Sequence, residues 1–188
     1  MKLLQKVQNL VLPLPVTLAT CRANKNEPST DNIIPLSWVG IVDYNPNMLY
    51  VSIGKGKYSA KIIRQNKEFG LCVATADIME QVDKCGYSHG DKVDKFEMVG
   101  FTKFPAKIID VSLIKECPIC LECKVVENLE LNTHEIFIAE VLCTHVDEKF
   151  LGDNDEPMIS EMNILCYVND QYWTMGKKLN DLYYSKKL

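Results

Sequence analysis

Seven runs of β-branched, aromatic and other apolar residues, each bounded by Asn, Asp, Gly or Pro, most constrain how this chain can fold. They occupy 16–21, 33–42, 48–53, 69–75, 121–126, 135–145 and 164–168. Side chains branched at Cβ pack well across a pleated surface, so each run reads as a β-strand. Helical periodicity is confined to 59–66 and 76–84, with a turn or short helix at 91–98. The prediction is a mainly β protein: a β-barrel, or strongly curved sheet, with peripheral short helices filling its gaps. The stretch 135–142 is mostly apolar along its length, as expected for a strand shared between a barrel interior and a second buried surface such as a subunit contact.

No repeat or composition shift divides the 188 residues, so one domain over 1–188 is expected. The segment 148–157, with Gly152, Asp153, Asn154, Asp155 and Glu156, reads as an exposed acidic loop. With 21 basic against 25 acidic residues the net charge is -4, which offers no broad basic field for nucleic acid. Lys2, Gln5, Lys6, Gln8 and Asn9, then Pro13 and Pro15, interrupt the N-terminal apolar residues. Neither a signal-peptide core nor a membrane span can be drawn there, and a cytoplasmic protein is expected.

The eight cysteines are scattered, and Cys72 and Cys143 sit inside apolar strand-like runs, where a thiol behaves as a small hydrophobe. A disulfide framework is not expected in that compartment. Cys117, Cys120 and Cys123 have the first three spacings of a bacterial iron–sulfur run, but Glu127 and Asn128 stand where the fourth cysteine and its proline belong. For zinc, nothing in the spacing selects a fourth ligand such as Cys85 or His134, and His89, His134 and His145 lack metal-ligand spacing. No metal is predicted.

The ligand-facing chemistry is concentrated between Asn32 and Ser59. Leu36, Ser37 and Trp38 form a turn around a large flat aromatic, although Trp38 taken alone reads more readily as a core residue. The strand 48–53 then runs into Gly54-Lys55-Gly56-Lys57 and a helix beginning near Ser59. Ser52, Gly54, Lys57 and Ser59 can bring hydroxyls, backbone N–H groups and an ammonium together on a dianion. The loop is no Walker A motif: Val51 replaces the first glycine, and Tyr58 stands where Ser or Thr must follow the lysine. A planar-ring site beside a phosphate site suggests flavin mononucleotide, FMN.

The order of motifs resembles the flavin reductase-like proteins with an FMN-binding split barrel, most closely the flavoredoxin branch. The matching pieces are Pro15 to Thr20, Asn32 to Trp38, the strand and loop to Tyr58 and Ser59, Val93-Asp94-Lys95-Phe96, Cys117 to Val125, His134 to Phe137, and Tyr167 with Tyr172 and Trp173. The resemblance implies that Leu36, Ser37 and Trp38 lie along the flavin ring and that the loop from Ser52 to Ser59, including Tyr58, approaches the phosphate. It further implies that Lys95 and His134 contact the flavin and that Tyr167 packs near the ring or its ribityl chain. Taken by itself, Lys95 among Asp91, Lys92, Asp94 and Glu97 would read as a solvated ion-pairing turn. Many relatives place an arginine or proline in the phosphate loop; here Arg22 and Arg64 are the only arginines, so lysine, hydroxyl and backbone groups must serve.

The implied assembly is a homodimer with flavin near its interface. The electron donor is NAD(P)H or a redox protein. No G-x-G-x-x-G fingerprint is present, so a nicotinamide nucleotide would dock transiently. The function is expected to be that of a flavin reductase-like oxidoreductase, redox or electron transfer through bound FMN including NAD(P)H-dependent flavin reduction, with a non-enzymatic electron carrier and a dimeric barrel for a non-flavin ligand as the alternatives.

Overall fold

The computed structural model describes Lys6 and residues 8–187. Seven of its strands form one antiparallel sheet in the order β3-β2-β6-β9-β10-β5-β4. These are β2 (Thr17–Arg22), β3 (Asp31–Leu36), β4 (Val39–Tyr44), β5 (Asn47–Gly54), β6 (Glu68–Val73), β9 (Ile119–Glu130) and β10 (His134–Val146). The two edge strands, β3 and β4, are consecutive in the chain and separated only by Ser37 and Trp38. A sheet whose edges are joined by two residues must curl on itself, and the Ser52 N–H donates to the Trp38 carbonyl at 2.9 Å, carrying the β4–β5 ladder into that connection. The expected mainly β barrel with short helices is found. The expected run 33–42 is two strands, because its first half pairs with β2 and its second with β5.

Three helices fill the gaps: α1 (Tyr58–Asn66), α2 (Met79–Tyr87) and α3 (Lys95–Val99). α1 turns Ser59, Ala60, Ile62 and Ile63 inward, the spacing of one helical face. Ala60, Ile62 and Ile63 join Val51, Ile53, Phe69 and Phe137 in the barrel core. A second core lies on the other side of β2 and β6, where Leu18 and Cys72 meet Val82 of α2, Phe96 of α3 and Leu113. Because β2 lies between two cores, all six of its residues are buried. Lys95 opens α3, capped by the Asp94 carboxylate, which accepts from Phe96 N–H at 2.8 Å and Glu97 N–H at 3.2 Å.

The strands missed in the sequence are short: β1 (Leu14–Pro15), β7 (Lys103–Pro105), β8 (Ser112–Ile114) and β12 (Gln171–Thr174). β1, β11 (Leu165–Val168) and β12 make a small sheet, tied to the large one by Val16 N–H to the Leu165 carbonyl and Leu165 N–H to the Ala74 carbonyl. Along β10, Glu135, Phe137 and Ala139 point into the barrel while Ile136, Ile138 and Glu140 are half-buried on its outer face. No helix among the described residues is long and apolar enough to cross a membrane.

Candidate functional site

A cleft of about 780 Å³ opens where the end of β5, the first turn of α1, the segment after α2 and the start of α3 converge on β3. One corner is the loop after β5. Lys57 N–H donates to the Gly54 carbonyl at 2.9 Å, closing a tight turn, and Lys55 N–H donates to the Thr133 carbonyl at 3.1 Å, fixing the loop to the start of β10. Among the described residues, the N–H groups of Gly56, Tyr58 and Ser59 have no hydrogen-bond partner. Lys57 occupies the cap position of α1 without a side-chain cap. Free N–H groups at a helix start carry partial positive charge, and Lys55, Lys57, Lys61 and Arg64 line the same region. The corner is built for an anion.

The floor is Asn32 on β3. Its side chain is 2 % exposed, its Nδ2 donates to Ser59 Oγ at 2.8 Å, and its Oδ1 is buried without a partner. Whichever way round the amide sits, one of its polar atoms remains for a ligand. Gly90 presses against it: a Cβ at Gly90 would stand 1.9 Å from Asn32 Oδ1. Ser59 is itself buried and engaged with Asn32, so it holds the floor to α1.

Lys95 closes the inner end. It is 4 % exposed, and its Nζ donates to the carbonyls of Ile33 and Cys85 at 2.8 and 2.7 Å. The solvated turn that its neighbours suggest is not what forms, because the helix start directs this side chain inward. Burial pushes its pKa down, and the nearby Lys57 cation acts in the same direction. An ammonium has three protons and two are used, so one is left for the cleft.

At the rim, Trp38 stacks on His134 with ring centroids 4.6 Å apart and planes 31° apart, and Trp38 remains 43 % exposed. His134 pairs with Gly54 in the β5–β10 register, which sets this aromatic pair beside the loop. The cleft thus brings together Gly54, Lys57, Tyr58, Ser59 and Lys95 of the expected residues, with Trp38 and His134 adjoining. Leu36 is in the barrel core, and neither Ser37 nor Ser52 lines the cleft. Tyr167 lies on β11 against the second core, with its hydroxyl on Asp170, and is not brought to the cleft.

Sequence reasoning missed Asn32, Arg64 and the segment 86–91 as cleft residues. Arg64 forms a two-pronged pair with the fully buried Glu135, Nε lying 3.1 and 3.0 Å from its two oxygens. Gly90 was the available signal, since a glycine just beyond a helix often marks a close backbone approach.

The flavin reductase like domain model matches residues 10–176. The fold superposes on the flavoredoxin of Methanosarcina acetivorans with a TM-score of 0.86 and 32% identity, over 99% of this chain and 98% of that one. On the flavoredoxin of Desulfovibrio vulgaris (Miyazaki F) it superposes with a TM-score of 0.90 and 25% identity, over 99% and 100%. An uncharacterised protein of Archaeoglobus fulgidus is 35% identical over 117 residues, 62% of this chain and 66% of that protein.

Proposed function

We propose, from the premise that this chain belongs to the flavin reductase-like family, that it holds FMN in the cleft and passes electrons between a donor and an acceptor through it. The observation that carries this reading is one cleft in which an anion-ready loop lies beside Asn32, a buried amide with an unsatisfied polar atom. The donor set fits: a phosphate suits the loop, and the amide-like edge of a flavin ring offers the complement Asn32 lacks. Bound flavin supplies the hydride and electron chemistry. The chain's part is to bind, orient and set the potential.

Lys57 and the free N–H groups of the α1 start bind the phosphate. Asn32, held by Ser59, orients the ring, and the open face of Trp38 packs against it. The Lys95 ammonium favours added negative charge on the ring and so raises its potential. The donor is NAD(P)H or a redox protein, docking transiently.

The functional unit of this reading is a homodimer in the cytoplasm, with residues 1–188 as one domain. A second copy would cover the outer face of β5 and β10, where Tyr50, Ile136 and Ile138 are only half-buried, beside the exposed Ile41 and Val42 of β4. Eight free thiols suit a reducing compartment. Anaerobic purification followed by titration with NADH and NADPH, with dithionite as reference, tests the reading. A yellow protein that releases FMN and is reduced by one of these donors or by a redox protein supports it; a colourless protein that ignores added FMN contradicts it.

A further inference from the structure

At the opposite end of β10 from His134 and the cleft loop, Glu122, Cys143 and His145 place one oxygen, one sulfur and one nitrogen within 4.8 Å of one another. The β9–β10 register sets Cys143 directly opposite Glu122, and His145 follows two residues along the same strand. The three donors thus come from two neighbouring strands, with Glu122 more than twenty positions before Cys143 in sequence, which is why no ligand spacing is visible there. We propose that this cluster is a zinc site with three protein ligands.

The carboxylate is prepared for it. Glu122 is fully buried, and the N–H groups of Lys107, Ile108 and Ile109 donate to it at 2.7, 2.7 and 3.0 Å. Two of these bonds reach Oε2 and one reaches Oε1, whose remaining lone pair faces His145 Nε2 at 2.6 Å. A cation inserted at that point replaces one hydrogen bond and leaves no oxygen lone pair unsatisfied. The three backbone donors orient the carboxylate as an outer shell. The His145 ring is oriented by Phe104, edge-on at 5.4 Å.

Thiolate, imidazole and carboxylate around a four-coordinate ion is a zinc donor set. Tetrahedral zinc needs neighbouring ligand atoms about 3.3 to 3.6 Å apart, so His145 and Glu122 must part by less than about 1 Å. The Cys143 sulfur enters as thiolate, its proton passing to solvent, and the proton of the His145–Glu122 hydrogen bond moves to His145 Nδ1 or to solvent so that Nε2 can bind the metal. His145 also lines a second cleft, of about 910 Å³, and a water completes the four-coordinate shell. Cys120 pairs with His145 in the ladder, but its sulfur is turned to the Ile114 carbonyl at 3.4 Å and is not among the three donors.

The test uses the reduced full-length protein, equilibrated with zinc, washed with a weak chelator, and read by elemental analysis and zinc-edge X-ray absorption. Glu122 also ties down the 107–109 backbone, so the variants are Cys143→Ser and His145→Gln on β10. One zinc per chain is expected, with a shell of one sulfur and lighter atoms, and each variant weakens retention about tenfold or more. No retained zinc, retention in both variants equal to that of the unaltered protein, or a sulfur-rich shell indicating the other cysteines would overturn the proposal. Flavin content, measured on the same samples, reports on the cleft separately.

Discussion

Asn32 on β3 and Ser59 in the first turn of α1 are joined side chain to side chain, Nδ2 donating to Oγ at 2.8 Å, and this bond fastens the floor of the cleft to the helix that bounds it. It also leaves the other polar atom of the amide buried and unpartnered. A site of this kind is satisfied only when a ligand arrives.

Asn32→Ala therefore weakens both FMN and riboflavin, by about tenfold, because it removes a ring contact worth about 1 to 2 kcal/mol. The ligand-free protein keeps its stability to within about 1 kcal/mol, since the orphaned group disappears along with the bond to Ser59. Fluorescence titration and denaturant melts read the two effects separately.

Gly90→Ala acts through the same residue. The new Cβ would meet Asn32 Oδ1 at 1.9 Å, so the amide is displaced and flavin affinity falls as in Asn32→Ala. With Asn32→Ala already present the obstruction is gone, and Gly90→Ala adds little. Additive losses in the double variant would show that Gly90 serves another purpose.

How much of this was legible in the sequence follows from the range of the signals. The barrel was readable because strand runs such as 48–53 and 69–75 carry their pattern locally, and the loop after β5 because Gly54 to Lys57 is contiguous. The turn at Leu36 to Trp38 was readable too, but that it divides 33–42 into two strands was not, since that depends on which partner each half of the run pairs with. Asn32 reads as an ordinary polar residue at a strand start; only the approach of Gly90, 58 positions later, makes it a floor. Lys95 looked solvated among charged neighbours and is buried because Asp94 caps a helix whose first turn faces inward.

The buried Lys95 gives the site a pH dependence. Its pKa is lowered from 10.5 by burial, with Lys57 adding to the effect, so the free protein loses this proton earlier than an exposed lysine would. Bound FMN, dianionic above neutrality, favours the protonated form and draws the pKa back up. FMN affinity is therefore constant near neutral pH and falls as pH rises through the lowered value toward 10.5. Lys95→Met binds more weakly at neutral pH and lacks that fall. Dissociation constants measured across the alkaline range decide it.

Arg64 is needed for the fold as well as for the cleft. Glu135 is fully buried and is paired by Arg64 and, at 2.9 Å, by Asn128 Nδ2. Arg64→Ala leaves the carboxylate with one weaker partner. The cost is about 1 to 3 kcal/mol, below that of a wholly buried pair because the arginine side chain is 40% exposed. Arg64→Ala with Glu135→Gln recovers part of the loss, measurable by urea unfolding.

The most direct test of the central claim compares FMN with riboflavin in titrations of the flavin-free protein, the two ligands sharing the ring and differing in the phosphate. If the loop from Gly54 to Ser59 holds that phosphate with charge-assisted bonds worth about 1.5 to 3 kcal/mol each, FMN binds at least about tenfold more tightly. Lys57→Ala then narrows the gap while leaving riboflavin affinity nearly unchanged. Equal affinity for the two ligands in the unaltered protein would contradict the account, and the cleft would not be a mononucleotide site.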